Sequence, residues 1–325
     1  MLEARLQNAV VLKRVFEAMT CLVSEVNLDC DETGLKLQSM DQSHVALVSL
    51  KLEDVGFLHY RCDRPRSLGL NMASVVKVFK LCSGQDTVSV QNEDEGDSIT
   101  FVFENNGSGI KVDCLCKIQS VFNAGICVAA EEKTSTFSLC LMGIEQESLG
   151  VPDEEESDVV ITFSAKEFAS VVNNLKEFSD SVRIDVDKNG VKFITNGDIG
   201  RGQIVLKPRE GNSDDDLDVG VDIKVNHPVS QTYAVKYLVF FSKAASLSNS
   251  CTLSLTAHRP IAVKFDILDP IQGESRSSAP KLGHFKFYLA PKMDDEEVDN
   301  MAADDMQAEE PKAEGQVKPE EDREE

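Results

Sequence analysis

Residues 31–37 read Asp-Glu-Thr-Gly-Leu-Lys-Leu, and residues 187–193, at an offset of 156, read Asp-Lys-Asn-Gly-Val-Lys-Phe. Each stretch sets a glycine, Gly34 or Gly190, at a tight hairpin bend, where positive φ is needed, and runs on into a strand. Working outward, Leu12, Val15, Phe16 and Met19 fall at i, i+3, i+4 and i+7, an amphipathic helix, and Phe168, Val171, Val172 and Leu175 repeat that spacing at the same offset. A second pair of stripes follows, Met72, Val75, Val76 and Phe79 against Tyr237, Phe240, Phe241 and Ala244, offset by 165. Each leads into an alternating strand, marked by Val88 and Val90 in one copy and by Leu253 and Leu255 in the other. Two matched pairs in the same order point to a duplicated domain.

Most of the remaining chain alternates with period two, as in Ile99, Phe101 and Phe103, Val182, Ile184 and Val186, and Val263, Phe265 and Ile267. Such runs are half-buried antiparallel strands. The expected fold is α+β: two similar domains, with four helices packed on the same face of a long antiparallel sheet. A chain of 325 residues has room for two cores.

The net charge is −23, and residues 292–325 hold fifteen acidic against four basic residues without apolar periodicity, which reads as a disordered acidic tail. The helices run against this trend. Spans 9–22, 72–81, 166–177 and 234–246 carry Lys13, Arg14, Lys77, Lys80, Lys166, Lys176, Lys236 and Lys243 against only Glu17, Glu167 and Glu177. At about 100° per residue each cation points away from its apolar stripe. An acidic protein with one basic helical face suits sequence-independent attraction to phosphates on that face alone.

Nothing in the chain argues for an enzyme. Its five histidines stand beside no plausible nucleophile, there is no Gly-rich phosphate loop, and the acid clusters Asp153–Glu156 and Asp214–Asp216 read as solvated loops. No cofactor is expected. Cys114, Cys116, Cys127 and Cys140 have spacings that match no familiar zinc site, so no metal is expected either. Nine cysteines without framework spacing fit free thiols in a reducing compartment, and no apolar run is long enough to span a bilayer.

Four stretches now carry a resemblance: LQSMDQSHVALVSL (37–50), GFLHYRCDRPRSLGLNMASVVKVFK (56–80), LGVP (149–152) and GHFKFYLAPKMDDEE (283–297), together with the opening MLEARL. The chain resembles the proliferating cell nuclear antigen family of eukaryotic sliding clamps over nearly all of residues 1–291. The resemblance implies a nuclear homotrimeric ring on duplex DNA, with helices lining the hole and subunits joined by antiparallel strand pairing. It divides the chain into an N-terminal clamp domain (1–140), an interdomain connector (141–157), a C-terminal clamp domain (158–291) and the tail (292–325). It implies DNA-facing roles for Lys13, Arg14, Lys77, Lys80, Lys236 and Lys243, and for Arg61 and Arg64 in the family's DNA-binding signature. Thr20 and Asn173 stand where the family usually has basic residues.

The same resemblance implies a pocket for short apolar and aromatic partner motifs, built from Met40, His44, Val45, Leu47, Leu149, Val151, Pro152, Pro260, Tyr288, Ala290 and Pro291. Its partners would be replicative DNA polymerase, clamp loader, flap endonuclease and DNA ligase. Phe137, Leu175, Phe178, Gly202, Ile204 and Leu206 would form the subunit interface, and Lys188 would be the site of ubiquitin or SUMO attachment. Two segments depart from the family pattern, residues 113–134 and 270–281, read as translated non-coding sequence or as loops bulging from the ring. The first falls at the strand expected to join the next subunit. The competing readings are a heterotrimeric checkpoint clamp subunit and, if that insert blocks pairing, an acidic scaffold that forms no ring.

Overall fold

The computed structural model describes residues 1–83, 86–94, 96–105, 115–116, 134–144, 157–198, 200–208, 220–268 and 280–292. The tail beyond residue 292 and most of both inserts lie outside these. The first half runs β1 (Leu2–Leu6), α1 (Ala9–Met19), β2 (Glu25–Asp31), β3 (Gly34–Met40), β4 (Ala46–Glu53), β5 (His59–Cys62), β6 (Arg66–Asn71), α2 (Met72–Phe79), β7 (Asp86–Asn92), β8 (Ser98–Asn105), β9 (Leu115–Cys116) and β10 (Thr134–Cys140). The second half runs β11 (Val159–Ser164), α3 (Ala165–Leu175), β12 (Ser181–Asp187), β13 (Gly190–Gly197), β14 (Gly200–Leu206), β15 (Asp222–Val225), β16 (Val229–Ala234), α4 (Val235–Ser242), β17 (Ser250–Leu255), β18 (Ile261–Leu268) and β19 (Lys281–Leu289). With β9 set aside, the two halves match element for element.

The strands form three sheets instead of the single long sheet expected from the sequence. Their orders are β5-β1-β7-β8-β10-β9, β15-β11-β17-β18-β19-β4-β3-β2-β6 and β14-β13-β12-β16. Each half contributes one five-stranded and one four-stranded sheet of the same order. The nine-stranded sheet arises where β4 of the first half pairs with β19 of the second, from Ala46–Leu289 to Leu52–Gly283. The helices reach strands of two sheets, α1 lying against β7, α2 against β6 and β10, and α3 against β11 and β17.

The twin hairpins that disclosed the duplication are built alike. The Asp31 carboxylate accepts from the Thr33 N–H at 2.8 Å and pairs with Lys36 at 2.7 Å; Asp187 accepts from the Asn189 N–H at 2.7 Å and pairs with Lys192 at 3.1 Å. Gly34 (φ 132°) and Gly190 (φ 154°) each leave no room for a Cβ, which would meet the Leu52 carbonyl oxygen at 2.0 Å in one copy and that of Leu206 at 2.5 Å in the other. Leu52 lies on β4 and Leu206 on β14, so the close approach itself marks those strands as equivalents.

Asn8 and Asn71 cap α1 and α2, accepting from the Val10 N–H at 3.1 Å and the Ser74 N–H at 3.0 Å. α1 closes on Met19, the last residue of its stripe and three residues short of the span 9–22, and the Thr20 N–H and hydroxyl both donate to the Phe16 carbonyl at its end. The core is rich in phenylalanine. Phe79 sits among Phe16, Phe101 and Phe103 at 5.1–5.3 Å, and Phe241 stacks on Phe287 at 4.7 Å. One stripe residue differs: Phe240 is only half-buried and packs edge-on against Tyr237, while Leu238 takes the interior place.

Candidate functional site

Each helix buries its apolar stripe against the sheets, which turns its basic side chains outward. Lys77, Lys80, Lys166, Lys176, Lys236 and Lys243 are exposed, and Lys13 and Arg14 half-buried. Several are held in place. Arg14 donates to the Ser246 carbonyl at 3.3 Å, Lys243 approaches the Cys21 sulfur at 2.5 Å, and the Lys236 ammonium lies 4.6 Å from the Tyr237 ring centre. The first two contacts tie α1 and the turn that follows it to the 3-10 turn Lys243–Leu247 of the other half, so the helical layer is continuous across the duplication. Arg61 and Arg64 do not join this set. They lie on and just after β5, an edge strand, and Asp63 holds the Arg61 guanidinium at 2.8 and 3.1 Å.

A second feature faces away from the main core. Met40, Leu47, Tyr288 and Ala262 occupy directly opposed positions on β3, β4, β19 and β18, a cross-strand row spanning the join of the halves. They form a small apolar cluster of their own. The loop 41–45 stands over one end of the row. His44 is exposed with φ 55° and its Nδ1 lies 3.2 Å from the Met40 sulfur, while the Val45 carbonyl accepts from the Ala290 N–H at 3.0 Å. A cavity of about 220 Å³ beside it is lined by Met40, Asp41, His44, Asn27 and Ile144 among others. Pro260 is exposed, and Ala290 and Pro291 are half-buried. Leu149, Val151 and Pro152 lie outside the described residues.

Sequence reasoning missed Asp41, which organises this loop. It is 7% exposed, and it accepts from the backbone N–H groups of Val45 (2.8 Å), Ala46 (2.7 Å) and Ser43 (3.1 Å) and from the Tyr237 hydroxyl (2.8 Å). Burial opposes its charge, but the bonds from Ala46, Tyr237, Ser43 and Val45 outweigh burial and hold its carboxyl below the usual aspartate range. The Asp41-x-Ser43 spacing of an Asx turn was the available signal. The Tyr237 partner was hidden inside a helical stripe.

The expected interface residues divide. β14 ends its sheet, with no strand on its outer side among the described residues. Ile204 and Leu206 are half-buried on it, and Val205 and Phe178 are 41% and 44% exposed. Gly202 lies under the Phe178 ring, where a Cβ would sit 3.8 Å from it. Leu175 does not belong to this surface: it closes the α3 stripe and is 3% exposed within the subunit core. Phe137, half-buried on β10, packs at 6.1 Å on Phe103. Lys188 is exposed on the β12–β13 turn. Among the described residues no group of three or more His, Cys, Asp or Glu could hold a metal, and Cys114, Cys127 and the Cys116 side chain lie outside them.

A duplicated α+β chain with a basic helical layer and a separate apolar row defines the class of ring-forming DNA clamps. Comparison with known proteins agrees. Residues 1–123 match the N-terminal domain of proliferating cell nuclear antigen, and residues 150–292 match its C-terminal domain. Proliferating cell nuclear antigen 1 of Plasmodium falciparum, isolates K1 and 3D7 alike, is 45% identical over 301 residues, covering 92% of this chain and 99% of the relative. The chain belongs to the proliferating cell nuclear antigen family. It is a sliding clamp and processivity factor that works as a homotrimer around duplex DNA and holds polymerase and other replication and repair proteins there.

Proposed function

We propose that the chain does its work by topology alone, on two separate surfaces, and catalyses no reaction. The observation that carries this is the placement of cations opposite the apolar stripes of all four helices, exposed on and just after α2, α3 and α4 and half-buried on α1, in a chain whose net charge is −23. Lys13, Arg14, Lys77, Lys80, Lys236 and Lys243 face the duplex, attracting phosphates without reading bases. Because such contacts are weak and water-bridged, the closed ring slides and encirclement keeps it in place. Arg61 and Arg64, off the helices, contribute to the field near the DNA more than to direct contact.

Partners dock on the other surface. The row of Met40, Leu47, Ala262 and Tyr288, with His44, Val45, Pro260, Ala290 and Pro291 around it and Leu149, Val151 and Pro152 from the connector, takes a short motif with apolar and aromatic anchors. Replicative polymerase, clamp loader, flap endonuclease and DNA ligase are the expected owners of such motifs, and the nucleus the place of work. The division into domains at 1–140 and 158–291, joined by a connector at 141–157 and followed by a tail at 292–325, follows the duplication. Lys188, exposed on its turn, is the proposed site of ubiquitin or SUMO attachment. Phe137 meets Phe178, Gly202, Ile204 and Leu206 of a neighbouring copy.

Replacing Lys77, Lys80 and Lys243 by alanine tests the separation of surfaces. The slope of log affinity for duplex DNA against log salt should fall by roughly 0.9 for each phosphate that is no longer neutralised. Affinity for a peptide carrying the apolar motif should stay unchanged. An equal drop in peptide affinity would refute the two-surface reading.

A further inference from the structure

The edge of β10 carries two claims at once. On one side β10 pairs antiparallel with β8 from Thr134 to Cys140. On its other side lies β9, the two-residue strand of the first insert, parallel to it with Leu115 opposite Thr136 and Cys116 opposite Phe137. The counterpart of β10 in the second half is β19, which uses this same edge to pair with β4 from Gly283 to Leu289. The counterpart of β4 is β14, which ends its sheet among the described residues, carries the exposed Val205 and has the exposed Phe178 beside it. The internal join therefore has an unmade twin, β10 against β14, which only a second copy can supply.

A strand edge has one row of N–H and C=O groups, so β9 and an incoming β14 cannot both pair with Thr136 and Phe137. We propose that β9 is a built-in occupant of the ring-closing edge: it blunts the edge in the separate subunit, must leave before the ring closes, and so sets the concentration at which rings form. This rests on the ring reading above. β9 offers two parallel residue pairs, whereas the β19–β4 join, the internal twin of the β10–β14 join it would forestall, runs over seven antiparallel ones. The guard is thus displaced once enough protomer is present, and it tunes closure without abolishing it. Three edges are cleared per ring, and the ratio of trimer to free protomer rises with the square of protomer concentration. A threefold easing at each edge therefore multiplies to roughly fivefold in the midpoint concentration.

The test compares the full chain with its Leu115→Pro/Cys116→Pro variant, in which proline removes the donors β9 would offer. Native mass is followed across a dilution series. The variant should reach the trimer at a midpoint roughly fivefold lower, the compounded easing at three edges. In single subunits at high dilution, whichever of the Thr136 and Phe137 amides points away from β8 should exchange faster in the variant than in the parent, since successive amides of a strand face opposite edges. An unchanged or higher midpoint, or equal exchange at that amide, overturns the guard. If neither protein reaches a trimer at any concentration, the ring reading falls and the guard with it.

Discussion

Asp41 joins the two halves through a single side chain. Its carboxylate fixes the loop that stands over the apolar row, and it reaches a tyrosine 196 positions away. Asparagine at this position keeps the size but loses the charge and half the acceptor capacity, leaving buried N–H groups without a partner. Asp41→Asn should cost about 2 kcal/mol, the usual scale for hydrogen bonds to a charged group. Urea unfolding would measure it, and a cost near zero would mean that the loop is held by packing. The pH dependence has a definite sign. The folded-state pKa of Asp41 is lowered, so its contribution is complete above the ordinary aspartate value of about 3.9 and is lost as pH falls below it. Asp31, held by the Lys36 ammonium and then by Thr33, and Asp94, held by the N-terminal ammonium and then by Arg66, are lowered to about 2 and act in the same direction. Stability should therefore be level above about pH 5 and fall progressively between pH 4 and roughly 2. A maximum on the acid side would contradict these assignments.

Among the elements, two phenylalanines separate subunit stability from ring stability. Phe79 touches three other rings in the first-half core, and Phe79→Ala should destabilise the subunit by about 3–5 kcal/mol. Phe178 is half-exposed beside the free edge of β14. Phe178→Ala should alter subunit unfolding by about 0.5 kcal/mol or less, yet raise the protomer concentration needed for assembly. Comparable losses in both unfolding assays would place Phe178 in the core. The helices, the hairpin turns and the duplication were legible because each depends on local spacing: a 3.6-residue stripe, or a glycine squeezed against a neighbouring carbonyl. The three-sheet arrangement was not. Whether β4 pairs with a strand of its own half or with β19 depends on residues more than 200 positions apart, and period-two alternation is the same either way. Leu175 shows the same limit from the other side. Its helical spacing alone marks it as core, as the structure places it, whereas the resemblance moved it to the interface.

Across the whole molecule, charge and topology combine into one device. A net −23 keeps the protein from binding nucleic acid indiscriminately, while the helical layer gathers exposed cations on a single face. That bias could be read from the sequence, since burying a stripe dictates where the lysines must point. Spacing alone could not disclose the apolar row: Met40, Leu47 and Tyr288 were reached only through the resemblance and Ala262 not at all, because the four become neighbours only through strand register. The central claim is that the ring holds DNA by surrounding it and not by affinity. The most direct measurement loads the protein onto nicked circular duplex with a clamp loader and ATP, then washes in about 1 M salt, where the Debye length is only about 3 Å. Retention on the circle is expected, with release as soon as the DNA is cut to a linear form. Equal loss from circular and linear DNA in that wash would contradict it.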